Sequence, residues 1–401
     1  MHAFTGNDKM KYVSYVLSVV LFLSCTPVSD ETVTILLSNN GQKGNETVSL
    51  PKPAIVRTVE DKPDDVFYNL ALVRKHNAIN SVSFSIDGSK IVTSGGGAKI
   101  VEWDLESGEH KDILNLKKEQ FLGSAIFSYD GKYLIYAAAN NQVMAIDLKN
   151  KREILFSFNG KKVVNLDYLK GVVAIARFDA SVQLWDIEKE LSQNLFKIAG
   201  TATHVIFFPN KKNKALLVTP AVTTAVHYWD GKQGDMQFET GPPLERPFIR
   251  DIDINHQGLI AITFRKKIRI FKLAINKQKV KVKKQHDIDI GYEITVLKFR
   301  DNNSIVFGGA KGVIGIIDVN KKKVLQKSCL FEGYPRYNDG TIVNEGDIYS
   351  FDISPDGQTV AVGMVDGALL LFNLNTKTKK WLNQPSSRYR LSLDNSCSSL
   401  K

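Results

Sequence analysis

The stretch VSFSIDGSKIVTSGGGAKIVEWD, residues 82–104, decides how the rest of the chain is read. Val82-Ser-Phe84 alternates apolar and polar residues, as a strand with one buried face does. Asp87-Gly88 follows, a pair suited to a tight turn between antiparallel strands. A second apolar run begins at Lys90-Ile-Val-Thr93, and a third ends at Val101-Glu-Trp103-Asp104. Working outward, that ending recurs at Ala145-Ile-Asp147, Leu184-Trp185-Asp186, Tyr228-Trp229-Asp230, Ile270-Phe-Lys272, Ile316-Ile-Asp318 and Leu371-Phe-Asn373. The bulky residue stands at 103, 146, 185, 229, 271, 317 and 372, in steps of 43, 39, 44, 42, 46 and 55.

A period of this size marks an array built from one supersecondary unit. The upstream landmark recurs too, at Ile126-Phe-Ser-Tyr-Asp130-Gly131 and Phe351-Asp-Ile-Ser-Pro-Asp356-Gly357. Weaker copies end at Lys170-Gly171, Pro209-Asn210, Gln257-Gly258 and Asp301-Asn302. Beyond each third strand lies a fourth run, often lysine-rich: His110-Lys-Asp-Ile-Leu114, Lys189-Glu-Leu191, Lys279-Val-Lys-Val-Lys283 and Lys323-Val-Leu-Gln326. No stretch of the body holds a helical period. Four strands per unit, repeated seven times, predict an all-β chain: a single seven-bladed β-propeller of four-stranded antiparallel blades.

On these residues the chain resembles the WD-repeat family over about residues 66–383. Trp103, Trp185 and Trp229 each stand immediately before an aspartate (Asp104, Asp186, Asp230), where that family carries its name-giving dipeptide. Asp147 and Asp318 hold the same place after isoleucine. His76 stands near the family's Gly-His position, and the family's structural aspartate between strands two and three is matched by Asp179 and Asp366. The resemblance implies a rigid ring that brings other proteins together. It also implies ring closure by circular overlap, with Val66-Phe-Tyr-Asn-Leu-Ala-Leu-Val73 as outer strand of the blade that ends at Phe372. Lys379-Lys-Trp381-Leu382 competes for that slot.

Composition agrees with a folded chain. Of 401 residues 43% are hydrophobic and 24% charged, which excludes a disordered, collagenous or multispanning protein. Three cysteines without CxxC spacing exclude a zinc ribbon or a disulfide-dense scaffold.

Residues 1–24 have the form of a signal peptide: Lys9 and Lys11, then the apolar run from Tyr12 to Leu23. Met10-Lys11 is an alternative start. Ser24-Cys25 resembles the lipobox of bacterial lipoproteins and implies lipidation at Cys25; an ordinary secretory signal is the other reading. Removing 1–24 lowers the net charge from +11 to +10. Residues 25–64 form a polar spacer, 65–383 the propeller, and 384–401 a tail expected to be disordered. The expected location is the cell envelope, with the chain lipid-anchored and facing periplasm or cell surface.

Signatures of catalysis are absent: no Gly-x-x-x-x-Gly-Lys, His-Glu-x-x-His or Gly-x-Ser-x-Gly. The seven histidines show no metal-ligand spacing. No catalytic residue, metal or cofactor is therefore expected. Asp251-Ile-Asp253 and Asp287-Ile-Asp289 place paired carboxylates on one strand face. Strand alternation accounts for them, since Asp253 aligns with Ser83 and Asp352. In an oxidising envelope Cys329 and Cys397 could pair, joining the last strands to the tail; free thiols are the default expectation.

Lysine clusters (149–152, 211–214, 277–284, 321–323, 377–380) fall in outer strands and turns. They are read as a solvated outer face, with attraction to a membrane surface as a secondary effect. Nucleic acid is not expected, because no basic run is interleaved with aromatics.

Two connections are long: 238–248 and 329–347. They contain Arg246, Phe248, Tyr334, Arg336 and Tyr337, the aromatic and arginine chemistry of binding hot spots. The chain is thus expected to be a non-catalytic scaffold for envelope proteins and a monomeric ring. One alternative is an exported hydrolase or lactonase, favoured if three carboxylates converge on the central channel. Another is an intracellular eukaryotic scaffold.

Overall fold

The structure is a computed structural model. It describes residues 78–383 and Cys397, except 96–97, 116–122, 139–140, 157–160, 199–201, 210–215, 221–224, 230–235, 240–248, 277–278 and 332–346. Residues 60–401 form one compact unit; residues 1–59 lie outside the described residues.

Seven four-stranded antiparallel sheets follow one another along the chain, each with its strands in simple sequential order. The blades occupy residues 79–115, 125–156, 163–197, 202–239, 252–289, 294–329 and 348–383. The chain is a seven-bladed β-propeller, as the repeat predicts. Among the described residues the one helical element is a single 3₁₀ turn, Ala310–Gly312.

Blade 1 shows why the sequence folds this way. Its first strand is Ile79–Phe84, its second Lys90–Gly95, its third Lys99–Asp104 and its fourth His110–Asn115. Gly88 N–H donates to the Ser85 carbonyl at 2.9 Å, and the Asp87 carboxylate accepts from the Ser85 hydroxyl and the Ser89 N–H. Gly88 sits at φ +71°, a conformation in which glycine meets no Cβ penalty. The same turn recurs at Ser128-Tyr-Asp-Gly131 and Ser354-Pro-Asp-Gly357.

These turns also stack from blade to blade. A Cβ on Gly131 would lie 2.7 Å from Ile86 Cγ2, one on Gly88 3.4 Å from Pro355 Cδ, and one on Gly357 3.3 Å from Arg300 Nε. Each turn glycine therefore serves twice, once for its backbone angle and once for the side chain lying over it.

The second strands are the most buried: every residue of Val172–Arg177 and of Tyr133–Ala137 is buried. Outer strands are open, as in His110–Asn115, where four of the six residues are exposed. The core is divided into seven apolar clusters, one at each blade junction. Trp185, 1% exposed, stacks on Phe156 of the preceding blade with ring centres 5.0 Å apart. The seventh cluster joins Ile79, Val82, Phe84 and Trp103 of blade 1 to Ala361 and Leu369 of blade 7, closing the ring.

Ring closure differs from the expected overlap. The outer strand of blade 7 is Lys379–Asn383, pairing with Leu369–Asn373. The last sheet is complete without a borrowed strand. Residues 66–73 and His76 lie outside the described residues.

The cysteines also correct an expectation. Cys329 and Cys397 form a disulfide across 68 positions, with Cα atoms 5.2 Å apart. Cys329 ends the outer strand of blade 6 and is fully buried, so its thiol is shielded by the same packing that receives Cys397.

Candidate functional site

The first strands of the blades surround a central cavity of about 650 Å³. A first strand has sheet partners on one side only, so its inward N–H groups need acceptors from elsewhere. Neighbouring blades supply them through side chains at alternate positions. Ser81 Oγ accepts from Ala125 N–H at 2.8 Å, and Ser83 Oγ from Phe127 N–H at 3.1 Å. Asn165 Oδ1 accepts from Val205 N–H at 3.0 Å, and Asp167 Oδ2 from Phe207 N–H at 2.7 Å. Asp251 Oδ2 accepts from Leu297 N–H at 2.8 Å, and Asp253 Oδ2 from Phe299 N–H at 2.7 Å. Asp352 Oδ2 accepts from Phe84 N–H at 2.8 Å. In blades 1, 3, 5 and 7 the polar positions that alternation places in the first strand are thus latches reaching one blade onward.

The remaining polar groups bridge these latches. Lys298 Nζ donates to Asp352, and the Tyr129 hydroxyl to Asp167 Oδ1 at 3.3 Å. His204 Nε2 faces Asp251 Oδ1 at 3.6 Å, while its Nδ1 lies 3.1 Å from Thr219 Oγ1. Burial pushes the Asp167 carboxyl up to about 6 and Asp251 up to about 8, and pulls His204 down to about 4. Burial works against charge on Lys298 as well, but Asp352, Tyr129 and Asp253 outweigh it and hold the ammonium well above its usual range. Asp167 and burial together keep the Tyr129 phenol protonated.

Four carboxylates therefore line the channel without converging on one point. Each receives a backbone N–H from the next blade, and among the described residues no three His, Cys, Asp or Glu side chains are arranged to hold a metal.

The repeat aspartates act locally. Asp104 Oδ1 accepts from Ser107 N–H, Asp147 Oδ1 from Lys149 and Asn150 N–H, Asp186 Oδ1 from Lys189 N–H, and Asp318 Oδ1 from Lys321 N–H. They cap the turn that leads to the outer strand, which is why an aspartate recurs at the end of third strands. Trp103 Nε1 donates to Thr93 Oγ1 at 2.9 Å, satisfying its one donor inside the sheet. Trp229 is buried in the cluster between blades 3 and 4. Asp179 and Asp366 cap local turns through Ser181 and Ala368 N–H. Asp287 pairs with Arg269 and Lys284, and Asp289 accepts from Gly291 N–H.

Cys25, Asp230, Arg246, Phe248, Tyr334, Arg336 and Tyr337 lie outside the described residues. The latches are what sequence reading missed. Their signal was the alignment of Ser83, Asp253 and Asp352, which alternation explained without revealing a bond across the junction.

A family profile described as WD domain, G-beta repeat matches residues 68–104 and 339–373. The matched segments fall on the first and last blades, and with the seven-bladed ring they support reading the chain as a WD-repeat propeller. A search of curated proteins finds no match.

Proposed function

We propose that this chain is a non-catalytic protein-interaction scaffold, displayed from a membrane of the cell envelope by a lipid on Cys25. The observation that carries the reading is the fate of the channel's polar groups. The carboxylates that would serve chemistry are engaged in holding blades together, so the ring offers its rim and connecting loops to partners. A WD-type propeller suits that role, and the profile matches support it. The Cys329–Cys397 disulfide supports an exported location, because such bonds persist in oxidising compartments.

In this reading the docking loops are 238–248 and 329–347. Pull-down with the intact chain and with Tyr334→Ala, Arg336→Ala, Tyr337→Ala tests it. The variant should lose a partner that the intact chain recovers; equal recovery of every partner discards the docking face. Mass spectrometry of the native N-terminus tests the anchor, which requires a lipid-modified Cys25.

The runner-up, an exported propeller enzyme with its site in the channel, draws on the cavity and its carboxylates. Turnover of a hydrolase or lactonase substrate, lost on Asp251→Asn, would favour it over the scaffold.

A further inference from the structure

The excess positive charge on the outer strands of this ring is concentrated in one sector. In each blade the chain passes from the third strand to the outer strand. In blades 5, 6 and 7 these segments are residues 277–289, 319–329 and 374–383, and they hold twelve lysines against two aspartates. The corresponding segments of blades 1 to 4 are residues 105–115, 148–156, 187–197 and 230–239, and they hold seven basic residues against nine acidic. The outer segments of three consecutive blades thus carry a net +10, against −2 on those of the other four.

Lysine on an outer strand deters edge-to-edge pairing. That requirement applies to all seven outer strands alike, yet the segments of blades 1, 3 and 4 carry no net positive charge and that of blade 2 carries only +2. Protection of edges therefore does not explain the sector.

Its chemistry is specific. Lys281, Lys283, Lys322, Lys323, Lys377 and Lys380 are exposed and have no carboxylate partner among the described residues. Lys284 and Lys321 are paired with Asp287 and Asp318. The three segments contain no arginine, so the planar fork that reads phosphodiesters bidentately is missing. Trp381, their one tryptophan, stacks on Phe331 and is not a free platform for a base. In the middle blade Leu325, 54% exposed, sits at a bulge in the lysine-rich outer strand Lys323–Cys329. Compact ammonium groups around an exposed aliphatic side chain suit a bilayer surface, where charge is diffuse and an apolar group can enter the headgroup layer.

We propose that the outer edges of blades 5 to 7 form a docking surface for anionic lipid headgroups, laying this sector of the ring against the membrane. The choice of partner rests on the membrane-display reading, but the contact does not need the lipid on Cys25.

The test uses the full chain carrying Cys25→Ala and sedimentation with two sets of vesicles, phosphatidylcholine alone and phosphatidylcholine with phosphatidylglycerol. The chain should sediment with the anionic vesicles only and be released by salt. Lys281→Gln, Lys283→Gln, Lys322→Gln and Lys323→Gln together should weaken partitioning about fivefold per lysine removed. Lys149→Gln, Lys151→Gln and Arg152→Gln in blade 2 should leave it nearly unchanged. An unaltered melting temperature of each variant confirms that the ring is intact. Equal binding to neutral vesicles, or equal loss in the blade 2 variant, overturns the proposal. So does retention on duplex DNA or a sulfated polysaccharide without vesicle binding. If native Cys25 carries no lipid while the sector binds vesicles, the anchor fails and the docking surface stands. The reverse result removes the docking surface alone.

Discussion

The Asp352 carboxylate of the last blade accepts the backbone N–H of Phe84 in the first at 2.8 Å, across 268 positions of chain. The same carboxylate holds Lys298 of blade 6, so one buried side chain ties three blades at the point where the ring closes.

Asp352→Ala should therefore destabilise strongly. It strips an acceptor from a buried N–H and leaves Lys298 without its partner, a loss of about 3 kcal/mol or more. Asp352→Asn keeps an acceptor for Phe84 and should cost less. Urea unfolding of the two variants checks the order; equal stabilities would mean that the latch contributes nothing.

Gly131 has two reasons to be glycine. Gly131→Ala meets a strained backbone angle and a close approach to Ile86, and should cost about 1–2 kcal/mol. Adding Ile86→Ala removes the contact but not the angle. The double variant should recover part of the lost melting temperature, and full recovery would show that the angle is harmless.

The Asp251–His204 pair predicts a pH profile. Asp251, raised to about 8 by burial, favours the folded state fully below its unfolded value of 3.8 and loses that contribution as pH rises through 8. His204, lowered to about 4 by burial, favours the folded state above 6.5 and loses that contribution as pH falls through 4. Between 4 and 6.5 the two trends oppose each other; above 6.5 that of Asp251 remains. The melting temperature should fall by several degrees between pH 6.5 and 8. Asp251→Asn should flatten this limb, and an unchanged slope in the variant would assign the effect elsewhere.

Reduction offers a separate measurement. Closing a loop of 68 residues stabilises by up to about 4 kcal/mol in the chain-entropy account. Reductant should lower the melting temperature of the native chain and leave that of Cys397→Ser unmoved. Thiol labelling of the unfolded chain should find Cys329 and Cys397 only after reduction.

The fold was legible because its cause is local. A Ser-x-Asp-Gly turn or an aspartate after a third strand is decided by neighbours a few positions away, and seven copies reinforce the reading. Latches such as Asp167 to Phe207 join residues 40 apart through three-dimensional register, and alternation alone left them as bland polar positions. The disulfide was hidden for a similar reason, since 68 intervening residues say nothing about a 5.2 Å approach. Closure went to Lys379–Asn383 because a complete fourth strand stood next in the chain, and pairing it closes only a short loop at small entropic cost. The lysine sector was visible only as scattered clusters until each was assigned to a blade.

Because every sheet is made of consecutive strands, each wedge can finish before the next leaves the ribosome. The seam between Ile79 and Ser350 must wait for the last blade, and the Cys329–Cys397 bond for the tail beyond it. That seam is the last blade junction to form during translation, and under mechanical load or thermal stress it is where the ring should first part.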